Sequence, residues 1–388
     1  MLNSCRRIHR GPRGCAIVFL LLLAGVACAS RAQSEPGFGS LPAPSGLQSV
    51  DDWEKRFLSH WDVEHAESFL PASTSRDSWQ FYGLAYGIDG NTAMYRATGK
   101  VQYLDRALLY VDNMVSAARD SWSLEGGQFR DEYRGWSSGH PKSLGLEVPL
   151  YESYCWRYVT RLLRVIRETP ELYDNARYRG QYQHLLEFSE IDIFEKWFQR
   201  GADAHIYREN THMASHWASI AMDLSLMTTD AARKERYLEV FDRINRGLPN
   251  HPSCLRGQLG AHPINAAASF WSDEWGVHSG PGQDVSHGNA VVGYIVEAQE
   301  AGMEWTDEDV RALIVTLDSI IWHSDGQYAR FVDGSGTGDG WFNDGFMKLG
   351  RYDADLQRRI ETHSTGRNTQ FFGNAALNVR LLSEQSTH

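Results

Sequence analysis

Four polar segments of this chain hold the residue types that acid–base chemistry requires. The run Tyr207-Arg208-Glu209-Asn210-Thr211-His212-Met213-Ala214-Ser215-His216-Trp217 sets two imidazoles four residues apart, which on a helix places them on one face. The run Gln283-Asp284-Val285-Ser286-His287-Gly288-Asn289 puts a carboxylate three residues before a third imidazole. Such a carboxylate either fixes the ring's tautomer or caps the helix that follows. Asp339-Gly340-Trp341-Phe342-Asn343-Asp344 and Arg367-Asn368-Thr369-Gln370 complete the set. A neutral imidazole is a base suited to near-neutral pH, and Asn and Arg donors can hold an oxyanion.

Other chemistries fit less well. His212 and His216 could form a metal pair with Asp284 or His287 as third ligand, but HExxH is absent and the expectation is no metal and no cofactor. The stretch from Asp333 to Asp344 faintly follows a calcium loop. Ser335 and Thr337 stand where carboxylates are usual, so a glycine-rich cleft loop is the better reading. GSGTGDG leads into no phosphate-binding loop, and Ser286-His287 lacks a nucleophile elbow.

The elements that must position these residues are helices in pairs. Tyr82–Ala97 is followed by Val101–Ala118, Leu146–Ile166 by Tyr178–Phe198, and His212–Met227 by Ala231–Ile244. His287–Ala301 precedes Asp307–Ile321, a shorter Trp341–Leu349 precedes Ala354–Thr362, and a last helix spans about Thr369 to Ser383. Thr306-x-x-Asp309 is a capping-box start. The first member of each pair is aromatic and poor in charge, the second rich in Arg, Glu and Lys. That contrast predicts an all-α fold, an (α/α) toroid or incomplete barrel of about six to seven hairpins with buried inner helices and half-exposed outer ones. Parallel inner helices bring their N-terminal ends to one face, and the polar segments open four of them. Two long loops flank these segments. Leu124–Gly145 holds Arg130, Arg134, Trp136, His140 and Lys142; Pro249–Gly282 holds Arg256, His262, Trp271, Asp273, Glu274 and His278.

The 388 residues include 13 Trp and 17 Tyr, more than a core needs, and rings with a flat apolar face and a polar edge often line grooves. A net charge of −11 disfavours nucleic acid as partner. Arg6, Arg7, Arg10 and Arg13, the apolar run Ala16–Val26 and Ala27-Cys28-Ala29 read as a secretory signal over residues 1–29. Its removal takes four arginines and no acids, so the charge becomes −15. Cys28 offers a lipoprotein alternative, although Gly25 stands where a bulky aliphatic residue is usual. Residues 30–50, rich in Ser, Gly and Pro, read as a flexible tether, and 51–388 as one catalytic domain. No later stretch is long and apolar enough to span a membrane, so a secreted or periplasmic protein is expected. Export would allow Cys155 and Cys254 to pair, and two buried thiols are the alternative.

The chain resembles the toroidal polysaccharide lyases of the alginate-lyase type, over roughly residues 51–385. Those lyases carry Asn-His and then an aromatic-Trp at the start of an inner helix, here matched by Asn210-Thr211-His212 and His216-Trp217. Their later Arg is matched by Arg256; the place of their Tyr falls near His262, and Thr211 is an insertion. The resemblance implies β-elimination on a uronic acid within an anionic polysaccharide. Asn210 and Arg256 would neutralise the carboxylate, His212 would take the C5 proton, and His287 or a nearby Tyr (Tyr207 or Tyr328) would protonate the departing O4. Trp79, Trp136, Trp271 and Trp341 would be sugar platforms, with Tyr82, Arg134, Tyr207, His216, Asn289, Tyr328 and Arg330 completing the substrate contacts. Against the acidic total charge, Arg130, Arg134, Lys142, Arg256, Arg330 and Arg367 would supply a local positive cleft. The alternatives are a glycoside hydrolase on the same fold, with Glu209 or Asp284 as acid and Asp339 or Asp344 as base, a uronate C5-epimerase, and a carbohydrate-binding toroid without activity.

Overall fold

The structure, a computed structural model, describes residues 41–366 and 368–387. The expected signal segment, residues 30–40 of the tether, and Arg367 lie outside the described residues. Among the described residues, twelve helices build the toroid, with shorter helical turns between them: α1 Val50–Glu64, α2 Phe81–Thr98, α3 Val101–Ala117, α4 Pro149–Glu168, α5 Ala176–Phe188, α6 Thr211–Met227, α7 Ala231–Arg246, α8 Val285–Glu300, α9 Asp307–Val315, α10 Gly345–Lys348, α11 Ala354–Ile360 and α12 Thr369–Gln385.

The even-numbered helices form an inner ring. Each packs on the next, from α2 through α4, α6, α8 and α10 to α12, and α12 packs back on α2. The odd-numbered helices lie outside, with α1 against α12, α3 against α2 and α7 against α6. Six hairpins therefore close the toroid among the described residues, so the barrel is complete rather than open. The burial patterns follow position. On α3 the buried residues Tyr103, Leu104, Ala107, Leu108, Val111, Met114 and Val115 recur at helical spacing, which leaves the other face to solvent. On α6 nearly every residue from Thr211 to Met227 is buried, as an element walled on all sides must be.

Local chemistry sets the ends. Gly99 stops α2 in the left-handed conformation at φ 70°. Thr306 and Asp309 form the expected capping box before α9. Pro149 starts α4 later than the hydrophobic pattern suggested, because proline has no amide hydrogen to lose in a first turn. The expected helix over Trp341–Leu349 shrinks to α10 and one 3₁₀ turn, Leu349–Arg351. The tightest contact is the seam that closes the ring. A Cβ on Gly90 of α2 would stand 2.8 Å from the Thr369 carbonyl, and one on Gly373 of α12 would strike the Gly90 carbonyl. Glycine at both places lets the two backbones touch.

Among the described residues, strand structure amounts to three short antiparallel pairs and a few isolated bridges in loops. Gln48 donates its amide to the Glu361 carboxylate, so the chain just before α1 rests on the α11 end. Cys155 and Cys254 are separate free thiols. No helix among the described residues is long and apolar enough to cross a membrane.

Candidate active site

The N-terminal ends of the inner helices share one mouth. Tyr82 and Tyr86 come from α2, Tyr154 and Arg157 from α4, His212 and His216 from α6, Ser286, His287 and Asn289 from α8, Trp341 and Asp344 from the approach to α10, and Gln370 from α12. They line a cleft of about 760 Å³. The C-terminal ends of α2, α4, α8 and α12 meet at the opposite opening, around Arg96, Glu168, Glu300 and Gln385, so these inner helices run parallel.

Two imidazoles stand side by side in the cleft, each braced by its own carboxylate. His212 Nδ1 lies 2.6 Å from Asp273 Oδ1, and His287 Nδ1 lies 2.8 Å from Asp284 Oδ2. The ring centres are 4.5 Å apart. With Nδ1 engaged behind the ring, Nε2 is the nitrogen left for a substrate. Asp273 is itself strapped to the start of α6: Asn210 donates to its Oδ2 at 2.7 Å, and the Thr211 amide donates to its carbonyl at 3.0 Å. Asp284 does both things that its position allowed. It caps α8 by accepting the His287 amide at 3.1 Å, and it orients the His287 ring.

The electrostatics set His287 and His216 apart. The hydrogen bond that His287 gives to Asp284 raises its pKa above its ordinary value, against the opposing effect of burial. Burial alone would raise the Asp284 carboxyl, but hydrogen bonds from His287 and Ser286 outweigh it and hold the group far below the carboxylate range. His216, one turn beyond His212, is 1% exposed. Burial, aided by the nearby Arg157 charge, drives its pKa well below normal and keeps it neutral. Burial also raises the pKa of Tyr82, Tyr86 and Tyr154, so their hydroxyls keep their protons.

Below the cleft the barrel axis is filled by ion pairs. Arg157 meets Asp344 at 2.7 Å, Lys348 meets Glu297 at 3.0 Å, Arg161 meets Glu300 at 2.8 Å, and Arg164 meets Asp223 at 2.8 Å. Burial raises the Asp223 carboxyl, and the Arg161 charge and the Thr160 hydroxyl oppose that shift. Inner helices thus direct charged side chains toward the axis, where partners from neighbouring helices balance them.

Of the expected catalytic residues, His212 and His287 line the cleft, and Asn210 supports it through Asp273. Arg256 does not reach it. Its guanidinium is held by Glu304 and by Asp309 at 2.8 Å and lies 3.9 Å over the Trp305 ring, because those partners at the α8–α9 turn are within the reach of its arm. Among the expected substrate contacts, Tyr82, His216, Asn289 and Trp341 line the cleft. Trp79 stands at its rim, 39% exposed, with its ring 5.0 Å from Tyr82 and 4.4 Å from His140. Asn289 acts mainly as a clamp: its Nδ2 donates to the Trp341 carbonyl at 2.6 Å, and its Oδ1 accepts the Phe346 amide at 3.2 Å.

The remaining expectations are corrected. Arg134 turns to the Val115 carbonyl and the Phe188 ring. Tyr207 is buried below the α6 approach and Trp271 in the core beside Phe346. Trp136 is likewise buried, and its indole donates to the Met114 carbonyl. Tyr328 donates to or accepts from His363 at 2.8 Å, in the packing under the Gly-rich loop. Arg330 is exposed beside Phe331, outside the cleft lining. The aromatic ones share one reason: a ring in a long loop gains more by joining the core than by staying exposed.

Sequence reading missed Tyr86, Tyr154 and Arg157 as cleft residues, and Asp273 as the brace of His212, whereas Gln370 lies in one of the four segments it singled out. Tyr86 lies one turn after Tyr82, and Arg157 follows Tyr154 by three residues, so helical spacing from an inner-helix start was the available signal.

No protein-family model and no curated protein matches the chain. Solved structures that resemble it include a polysaccharide lyase, at 11% identity over 87% of this chain and 97% of that one, with a TM-score of 0.46. An α-1,6-mannanase of Salegentibacter sp. HEL1_6, an inactive variant with mannotetrose bound, matches at 11% identity over 86% and 99%, TM-score 0.46. A family 88 glycosyl hydrolase from Bacteroides vulgatus matches at 10% identity over 88% and 100%, TM-score 0.46. The chemistry of this chain is therefore read from its own cleft.

Proposed function

We propose that this cleft is the active site of a polysaccharide lyase that cleaves a uronic-acid-containing chain of the alginate or glucuronan type by β-elimination. The observation that carries the reading is the pair of carboxylate-braced imidazoles, 4.5 Å apart, in an aromatic cleft. His212, oriented by Asp273, takes the C5 proton at Nε2. The electron pair forms the C4–C5 double bond, the C4–O4 bond breaks, and His287, held protonated by Asp284, gives its proton to O4. Two adjacent rings suit a proton and a leaving oxygen on neighbouring carbons of one sugar face.

The uronate carboxylate must be relieved of charge while C5 is deprotonated. With Arg256 committed elsewhere, the tyrosine hydroxyls of Tyr82 and Tyr86 serve as the donors, since burial keeps their protons in place. Trp341 and Trp79 flank the cleft as platforms for adjoining sugars. The mechanism draws on no cofactor.

A two-carboxylate hydrolase finds less support. Asp284 and Asp344 are bound by His287 and Arg157, Glu209 is exposed and paired with Arg208, and Asp339 lies outside the cleft lining. The deciding experiment incubates the protein with alginate, glucuronan and neutral glycans. The ultraviolet band of a 4,5-unsaturated uronate is expected with an acidic polymer. New reducing ends without that band would assign a hydrolase, and exchange of the C5 hydrogen with solvent, without cleavage, an epimerase.

A further inference from the structure

The floor of the cleft, beneath the two braced imidazoles, has polar groups that no protein partner satisfies. His216 has no hydrogen bond at either ring nitrogen; its ring stands edge-on to Tyr154 at 5.4 Å. Gln370 spends its amide nitrogen on Asp89 Oδ2 at 2.9 Å, and its carbonyl oxygen has no donor. Because Asp89 can only accept there, the Gln370 amide cannot be turned the other way. Asp344 beside them is paired on both oxygens, Oδ2 with Arg157 and Oδ1 with Lys348 at 3.5 Å, so it is not among the unsatisfied groups. His216 and Gln370 line the same cleft and are buried. Arg157, also in the lining, has its Nη2 on Asp344 and the Tyr158 hydroxyl and its Nε on the Tyr154 carbonyl.

Buried polar atoms without partners are costly, and a cleft that keeps several together is built for something that completes them. What is left open is one acceptor oxygen, Gln370 Oε1, and an imidazole that offers one donor and one acceptor. A hydroxyl, which donates and accepts, completes such a set; a carboxylate or a sulfate brings only acceptors and leaves Gln370 Oε1 unpaired.

We propose that the floor formed by His216 and Gln370 is a hydroxyl-recognition subsite that binds the free vicinal hydroxyls of one sugar unit and rejects units O-acylated or O-sulfated there. The subsite deepens the lyase reading and rests on it for the identity of the sugar: the hydroxylated edge points down to the floor while the carboxylate faces the tyrosines. The substrate class narrows accordingly to uronans with unmodified O2 and O3.

The test is calorimetric binding to the His212→Ala protein, in which turnover is off. The probes are saturated glucuronate oligosaccharides with free hydroxyls, the same oligosaccharides acetylated at O2 and O3, and neutral gluco-oligosaccharides in both forms. The free-hydroxyl forms are expected to bind at least about tenfold more tightly, because a site that hydrogen-bonds a hydroxyl strongly rejects an analogue lacking it. Gln370→Leu in the same background should shrink that ratio to less than about threefold, and His216→Phe supplies the same comparison if the first variant does not fold. Equal affinities, a ratio untouched by both variants, or no binding of any probe would each overturn the subsite. Hydroxyl-dependent binding of neutral sugars alone would uphold the subsite and sink the lyase reading. Cleavage of uronans regardless of acetylation would do the reverse.

Discussion

His212 and His287 are neighbours in space, with ring centres 4.5 Å apart, although 75 residues of chain separate their positions. Their braces differ in origin. Asp284 is the N-cap of the helix that carries His287, whereas Asp273 belongs to a loop that returns to the start of α6. One dyad is a local motif and the other a tertiary one, and the proposed elimination requires both.

Asp273→Asn should retain the fold and lower the rate of elimination by about 100-fold or more, the scale of positioned general base catalysis. His212→Ala should abolish it. The readout is the initial rate of ultraviolet absorbance on the preferred uronan. Undiminished turnover in His212→Ala would remove the imidazole from the mechanism.

The alkaline limb of the pH profile should report His287. Its pKa is raised by Asp284, so the acid form persists above the ordinary imidazole range and activity falls as pH rises through the elevated value. In Asp284→Asn that support is lost, and the alkaline limb of kcat/KM should move to lower pH. A limb that stays in place, measured between pH 5 and 10 or so, would assign the acid to another group.

Arg256→Ala should leave kcat and KM within about twofold of the parent. It should lower stability by about 1–3 kcal/mol, through loss of the charged hydrogen bonds to Glu304 and Asp309 and the stacking on Trp305. Denaturant titration and a kinetic assay on one preparation settle both halves. A selective collapse of activity would return Arg256 to the site.

Gly373→Ala should destabilise by about 2–3 kcal/mol, since the new methyl group meets the Gly90 carbonyl at the α2–α12 seam and only backbone displacement relieves it. Urea unfolding monitored by far-ultraviolet circular dichroism measures the change. An alanine tolerated without loss would mean that the seam relaxes freely.

Much of the scaffold was legible because periodicity reports burial. The alternation of aromatic, charge-poor helices with charged ones distinguished inner from outer members before any contact was known, as α6 and α3 illustrate. Residues at helix starts follow the same logic: Tyr82, His212, His216, His287 and Asn289 have directions fixed by a helix, and they line the cleft. Loop residues do not. Arg134 and Arg256 have long arms whose targets depend on which carbonyl or carboxylate lies near, and sequence spacing does not encode that. The polar loops around Trp271 and Tyr207 point to cleft rings, yet the rings turn inward. Arg157 was hidden by its setting in a helix read as core, although an axis lined with ion pairs needs such residues.

Because α12 packs on α2, the cleft takes Tyr82 and Gln370 from opposite ends of the described chain. Contacts between such distant positions form only through a slow search. A form in which this seam has opened would hold Tyr82 and Gln370 apart, so loosening at α12 is expected to take the cleft apart as a unit.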